Sequence, residues 1–230
     1  MTAPDDVDLD AATDLDDPDA AATVVAVTAS SIPGEFLVPE LAEEFTADQP
    51  AYTVDTVVTD SAGVFAALRD GSADVGFAGA EPDGDDLDAM VVGADEIVLA
   101  VPRGHALDGD EPVTVAALAA TPLVEREEGS GTRRSFTDAL AARGTPLITD
   151  QRWTIRDTNE GLIEAVAAGE GVGVVSSWAL ARHGRPEVRT ARVAGDPIER
   201  CLYLVLRRDD DTLGPAATAF VALAREQAEA

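Results

Sequence analysis

The sequence predicts an α/β protein in which mostly parallel sheets are covered on both faces by helices. From Thr23 onward, short runs rich in β-branched residues alternate with longer stretches in which apolar residues recur at helical spacing. This alternation favours parallel pairing, because a chain that returns to a parallel strand needs a crossover, usually a helix. With 230 residues, 46% of them hydrophobic, the chain can bury one large core or two lobes of about a hundred residues each.

The apolar pattern predicts strands and helices along the whole chain after residue 22. Strands are expected at residues 23–28, 54–59, 74–79, 96–101, 122–126, 153–156, 171–176, 188–193 and 202–206. Helices are expected at residues 36–45, 61–71, 115–120, 131–143, 160–168 and 215–228. Ser61 is expected to cap the second of these helices and Gly71 to end it.

Residues 1–22 form a separate acidic segment. They contain eight aspartates, no basic residue and little apolar periodicity. Such a composition cannot bury enough apolar surface to fold, so we expect a solvated tail or linker.

The charge of the whole chain is strongly acidic. The 44 acidic residues outnumber 16 basic ones, all of them arginine, and the formal net charge is −28 at pH 7. Charge of this size repels itself in dilute buffer and is tolerated where molar salt shortens the Debye length to ~3 Å. We therefore predict a protein adapted to a salt-rich cytoplasm, as in halophiles. An acidic surface made for a basic partner would cluster in one patch, and only the first twenty residues do so. Direct binding to nucleic acid is not expected, because it requires a basic face.

The sequence favours a cytoplasmic protein. The longest apolar runs, such as 97–101, are far shorter than the ~20 residues that span a membrane, and no secretion signal is recognised near the start. Cys201, the single cysteine, lies in an apolar strand-like run without a partner or an activating group. We expect a buried thiol there and not a catalytic one.

Small polar residues occupy four predicted strand-to-helix junctions. The junctions are Thr28-Ala29-Ser30-Ser31, Thr59-Asp60-Ser61, Glu128-Gly129-Ser130-Gly131-Thr132 and Asp157-Thr158-Asn159. A helix N-terminus offers unpaired N–H groups and the positive end of a dipole, and hydroxyls beside it add donors, so such a junction can cradle an anion or a carboxylate. In open α/β sheets ligands bind at the carboxyl ends of the strands. Ser, Thr, Asp and Asn also cap helices without any ligand, so each junction alone leaves both interpretations open.

Other chemistry is weakly supported. The 126–133 segment has neither the Gly-Lys-Ser/Thr of a phosphate-binding P-loop nor the glycine spacing of a dinucleotide fingerprint. His105 and His183 are far apart in sequence, and the acidic runs at 83–88 and 209–211 lack the spacing of a calcium loop. Trp153 and Trp178 are expected to be packing residues. We predict no cofactor, no metal site and no catalytic residue.

Several spaced motifs resemble the effector domain of LysR-type transcriptional regulators. The segment REEGSGTR (126–133) is similar to the REPGSGTR stretch common in that family, with Glu128 where proline is usual. LRDGSADVGFAG (68–79) resembles the family's L-x-x-G-x-x-D-x-G-[LF] signature, and DEIVLAVPRGHAL (95–107) resembles its crossover segment, with Ala106 replacing proline. SSIPGEFLVPELAEEF (30–45) resembles its opening helix, and NEGLIEAVAAGEGVGVVS (159–176) the stretch that leads to G-x-G-[VI]. The resemblance covers residues 23 to about 225.

The resemblance implies the two-lobed fold of type 2 periplasmic binding proteins, with two crossover strands and a ligand between the lobes. Lobe one would comprise 23–101 plus 203–230, and lobe two 102–202. The family's ligand-contacting positions fall on the same four junctions, at Thr28, Ser30, Ser31, Ser61, Ser130, Gly131, Thr132, Thr158 and Asn159. The resemblance also implies a homodimer. Nothing before Thr23 resembles the winged helix-turn-helix of family members. Three explanations are open: a misplaced start, a trimmed chain or a free-standing sensor.

Three functions from different classes are compatible with these residues. The favoured one is a sensor of a small anion or amino-acid-like metabolite within a LysR-like regulator. The alternative is a free-standing solute-binding protein for an oxyanion such as molybdate, tungstate or phosphate. The third is an enzyme on the same fold, such as a prephenate dehydratase-like lyase, which would need an acid or base that these hydroxyl-rich junctions do not single out.

Overall fold

The computed structural model describes residues 23–148, 153–208 and 213–229. The predicted acidic tail at 1–22 and the run at 209–211 lie outside these residues. Strands in the described residues are β1 (Thr23–Ser30), β2 (Tyr52–Thr59), β3 (Val75–Ala78), β4 (Leu87–Pro102), β5 (Leu123–Arg126), β6 (Trp153–Arg156), β7 (Val172–Ser176), β8 (Val188–Ala191) and β9 (Ile198–Arg207). Helices are α1 (Val38–Asp48), α2 (Ser61–Asp70), α3 (Val115–Ala119), α4 (Gly131–Ala142), α5 (Asn159–Ala167), α6 (Ser177–His183) and α7 (Pro215–Glu229). A π-helical turn at Pro33–Leu37 precedes α1.

The strands form two parallel groups joined by two long antiparallel strands. Their order is β2-β1-β3-β9-β4-β7-β5-β6, and β8 pairs with β4. All parallel pairs lie within the groups β1–β3 or β5–β7, and every antiparallel pair includes β4 or β9. We call β1–β3 with α1, α2 and α7 the first lobe, and β5–β8 with α3–α6 the second lobe. The predicted α/β fold with two crossover strands is confirmed.

β4 changes partners along its length. Leu87–Ile97 pairs with β9, with a bulge between Val91 and Gly93, and Ile97–Ala100 pairs with β7. Ile97–Ala100 therefore lies in the sheet of the second lobe. The lobe boundaries proposed from the sequence stay a prediction.

Helices cover both faces of each parallel group. In the first lobe, α1 and α7 pack on one face through residues such as Phe45 and Phe220, and α2 packs on the other through Val64 and Leu68. In the second lobe, α5 and α6 cover one face, and α3 and α4 cover the other. The inner strands β3, β5 and β7 are therefore buried along their whole length, as expected for parallel sheets.

Candidate ligand-binding cleft

The predicted junctions meet where the two lobes face each other. A Cβ atom on Gly131, the first residue of α4, would lie 3.9 Å from Ser61 Oγ and 4.0 Å from the Gly79 carbonyl oxygen, both in the first lobe. Beside it, Gly129 has a φ of +98°, and a Cβ there would lie 2.8 Å from Asp60 Oδ2. Only glycine accommodates both the left-handed backbone and the approach of the carboxylate. The glycine-rich 128–132 loop therefore allows close contact between the lobes.

Three hydroxyls of the predicted junctions are buried and have no hydrogen-bond partner among the described residues. They belong to Ser61, Ser130 and Thr132, which are only 3%, 4% and 1% exposed. An unpaired buried hydroxyl typically costs about 1–3 kcal/mol. Ser61 approaches the N-terminus of α4 across the interlobe contact, and Ser130 and Thr132 belong to that N-terminus. The three unpaired hydroxyls are therefore candidates for ligand contact.

Two other predicted junction residues hold helix ends. Asp60, and not Ser61, is the N-cap of α2, and its Oδ1 accepts from the Gly63 N–H at 2.7 Å. The expectation that Ser61 caps this helix is therefore wrong, because the helix begins at Ser61 itself. Thr158 caps α5 by accepting from the Gly161 N–H at 3.0 Å. Ser130 stands at the N-cap of α4 but makes no side-chain capping bond.

The remaining predicted residues differ in their surroundings. Thr28 is buried within β1. Ser30 Oγ accepts from the Gly79 N–H at 3.0 Å and ties β1 to the loop after β3. Ser31 and Asn159 line a cavity of about 500 Å³ between the ends of β1 and β2 and the ends of β5 and β6. The ligand-contacting role of the nine predicted residues stays a prediction.

Arg200 on β9 is a buried cation at the cleft that the sequence did not single out. Its Nε and Nη2 donate to Asp95 Oδ2 at 3.0 and 2.7 Å. Ser176 and Ser177 donate to the other oxygen of Asp95. The third nitrogen, Nη1, would lie 3.4 Å from a Cβ on Gly131 and has no hydrogen-bond partner in the part of the chain described. Burial lowers the pKa of the Arg200 guanidinium, Asp95 opposes that effect, and the charge of nearby Arg126 lowers it further. The two guanidinium groups therefore repel each other.

Arg126 is already held by protein acceptors. It is buried and donates to both carboxylate oxygens of Glu127, to Asn159 Oδ1 at 2.6 Å and to the Asp157 carbonyl at 3.0 Å. Its guanidinium fixes the ends of β5 and β6 at the 500 Å³ cavity.

Two further arginines near the junctions pair with carboxylates. Arg156 donates to Glu170 at 2.7 Å, and Arg133 Nε lies 3.0 Å from Glu125 Oε2. Neither arginine therefore offers an unpaired charge to the cleft.

A second cavity, of about 420 Å³, lies on the side of the cleft next to the crossover strands. It is lined by Gly131 and Arg200 together with Arg134, Cys201 and Tyr203, among others. Cys201 is half-buried and not fully buried as expected, because Leu202 and Leu204 of β9 face the core while Cys201 and Tyr203 face this cavity.

Groups outside the cleft give little further chemistry. The described residues contain no group of three or more His, Cys, Asp or Glu side chains that could hold a metal ion. Within the same residues, no helix has the length and apolar character needed to cross a membrane.

Known proteins share this fold and sequence pattern. The chain is 39% identical over 204 residues to the phosphonates import ATP-binding protein PhnC of Anaeromyxobacter dehalogenans, a match that covers 87% of this chain and 40% of that protein. It is 30% identical over 187 residues to the HTH-type transcriptional regulator MJ0300 of Methanocaldococcus jannaschii, covering 80% of this chain and 62% of that protein. The chain thus spans 40% and 62% of the lengths of these two relatives.

A solved structure agrees with the observed architecture. The effector-binding domain of QuiR in complex with shikimate superposes with a TM-score of 0.76 at 16% identity, over 90% of this chain and 97% of that one. At this identity the likeness shows the fold alone. The family model of the LysR substrate binding domain matches residues 19–229. The chain therefore belongs to the LysR substrate-binding domain family.

Proposed function

We propose that this domain senses a small anion or an amino-acid-like metabolite on behalf of a LysR-type regulator, and that the ligand binds between the lobes. The observation that carries the proposal is that three junction hydroxyls, those of Ser61, Ser130 and Thr132, are buried without a hydrogen-bond partner among the described residues. Ser61 approaches the N-terminus of α4, where Ser130 and Thr132 lie, across the interlobe contact. Hydroxyls and the N-terminus of α4 donate to negative charge, and Arg200 Nη1 points to the same place. Closure of the lobes over the ligand would favour one conformation of the domain.

Several features support this choice of ligand. Family membership favours effector binding, and shikimate, the ligand of the QuiR domain, is a carboxylate. The PhnC relative is named for phosphonate import, so phosphonates belong among the anions tested. We propose no catalytic step for the chain, since its family is that of the LysR substrate binding domain. We further propose that the protein is cytoplasmic and forms a homodimer. Sedimentation equilibrium in molar KCl tests the homodimer.

A ligand screen by thermal unfolding tests the proposal. The protein in about 1 M KCl is heated with sulfate, phosphate, methylphosphonate, molybdate, tungstate, O-acetylserine, shikimate and simple carboxylates. A ligand at ~100 times its dissociation constant adds ~2.7 kcal/mol of stability. For a chain of this size, we expect the unfolding temperature to rise by roughly 5–10 °C.

Ser130→Ala is the informative variant, because Ser130 Oγ has no hydrogen-bond partner among the described residues. Its unliganded stability should equal or exceed that of the parent, by up to about 1–3 kcal/mol, because the substitution removes an unpaired buried hydroxyl, whereas the ligand-induced rise should be lost. Thr137→Ala on the exposed face of the same helix is the control and should keep the full rise. A rise that survives both Ser130→Ala and Ser61→Ala would contradict ligand contact by these two hydroxyls.

A further inference from the structure

The π-helical turn belongs to the first lobe by its position in the chain but packs against the second. Ile32, just before the turn, is 1% exposed and shares a core cluster with residues of α5 and α6. Phe36 within the turn meets Trp178 of α6 edge to face, with ring centroids 6.4 Å apart. The crossover strands β4 and β9 are therefore not the sole connection between the lobes in the described residues.

Glu35, exposed at the edge of this apolar contact, bonds to two residues of the second lobe. Its Oε1 pairs with His183 Nε2 at the end of α6, and its Oε2 accepts from Asn159 Nδ2 at 2.8 Å at the start of α5. One first-lobe carboxylate thus holds two helices of the second lobe, and separation of the lobes at this point breaks both bonds.

The network continues from Glu35 into the cleft. Asn159 Oδ1 accepts from Arg126 Nη1 at 2.6 Å, while its Nδ2 donates to Glu35. An asparagine amide has one accepting and one donating end, so a cation on one side and a carboxylate on the other permit a single orientation. Glu35 therefore fixes the amide of Asn159, which lines the 500 Å³ cavity. Turns of π-helix are frequent at functional sites.

We propose that Glu35 is an interlobe latch. It holds the lobes closed without ligand by bonding to His183 and Asn159, and it is a positioning residue for the Asn159 amide. An effect of Glu35 on ligand affinity rests on the proposed function, whereas closure of the lobes by Glu35 does not. A domain whose binding-competent state is less populated binds its ligand proportionally more weakly.

Distance measurement between the lobes tests the latch. Spin labels are attached at Val57→Cys and Ile155→Cys, two exposed positions on β2 and β6, in a Cys201→Ser background without ligand. Glu35→Ala should shift the electron–electron distance distribution to longer values and broaden it. Glu35→Gln should keep the parent distribution, since its amide oxygen still accepts from Asn159 and its NH₂ can donate to His183 Nε2. Glu40→Ala removes a neighbouring exposed carboxylate and should also leave the distribution unchanged.

The results separate a latch from general loosening. His183→Ala should lengthen the distance, and adding it to Glu35→Ala should change nothing further, because one bond cannot be lost twice. If Glu35→Ala and His183→Ala gave the same distance distribution as the parent and Glu40→Ala, in variants with native circular dichroism, the latch would be overturned. It would also be overturned if Glu40→Ala lengthened the interlobe distance as much as Glu35→Ala does. Because these samples contain no ligand, failure of the ligand screen and failure of the latch give different results.

Discussion

Glu125 is the residue whose ionisation depends most visibly on the fold. It lies on β5 next to Arg126, but its side chain faces α4 and is 2% exposed. Arg133 Nε lies 3.0 Å from Oε2, yet that oxygen accepts no hydrogen bond from the described residues. Burial raises the pKa of Glu125 to about 7, and the charge of Arg133 opposes the rise. Desolvation outweighs the ion pair because the pair lacks hydrogen-bond geometry.

The raised pKa predicts that Glu125 makes stability fall as pH increases. The folded chain binds a proton here up to about pH 7, whereas the unfolded chain releases it near 4.5. The stabilisation from protonated Glu125 in the folded chain is full below pH 4.5 and is lost as pH rises through about 7. The difference between the folded and unfolded pKa values corresponds to up to about 3 kcal/mol in the free energy of unfolding. Urea unfolding at pH 5 and pH 8 in constant KCl measures it. Relative to the parent, Glu125→Gln should be the more stable at pH 8, and a constant difference between the two proteins at both pH values would contradict the prediction.

At the scale of an element, the cap of α5 shows that one junction residue has a structural role. Thr158→Ala removes the hydrogen bond from the Gly161 N–H and should destabilise the protein by about 1 kcal/mol. Chemical denaturation measures this loss, and Thr137→Ala, an exposed position within α4, is the control. We expect Thr158→Ala to lower the unfolding temperature of the unliganded protein, and a smaller ligand-induced rise as well would support the predicted contact between Thr158 and the ligand. Unchanged stability of the unliganded protein would contradict the capping role.

Most elements were predictable from local pattern, and the exceptions have physical causes. β4 begins at Leu87, nine residues before the predicted start. Its first half was missed because Gly93 and Asp95 interrupt the apolar run, and a bulge lies between Val91 and Gly93. Helix α6 was missed because it has only seven residues and follows β7 directly.

The candidate site was predictable only in part, because its signals are ambiguous in the sequence. Capping residues and ligand donors are the same residue types, so Thr158 and Ser130 could not be distinguished before their hydrogen bonds were known. Arg200 pairs with Asp95, 105 residues earlier in the chain, and no local spacing indicates such a pair. An arginine inside the apolar β9 run was the available signal. Glu35 was likewise hidden, because its partners His183 and Asn159 lie more than a hundred residues away.

For the molecule as a whole, the excess of acidic over basic residues determines the response to salt. Exposed pairs such as Arg69 with Asp86 and Arg208 with Asp88 contribute little to stability. The buried Arg200–Asp95 pair is screened much less than exposed pairs. With 44 acids against 16 bases, the dominant long-range term is repulsion. Added salt therefore weakens the repulsion between acidic residues more than it weakens the attraction within ion pairs.

We therefore predict that the unfolding temperature rises steadily with KCl. The steepest part should lie between about 0.1 and 1 M, where the Debye length falls from ~10 to ~3 Å. Tetramethylammonium chloride at equal ionic strength is the control for specific ion binding, because screening alone requires the two salts to act alike below about 1 M. A larger effect of potassium would show bound cations on the acidic surface as well as screening. A flat or falling curve in both salts would mean that repulsion between the 44 acids does not limit stability, and the proposed adaptation to a salt-rich cytoplasm would then lose its physical basis.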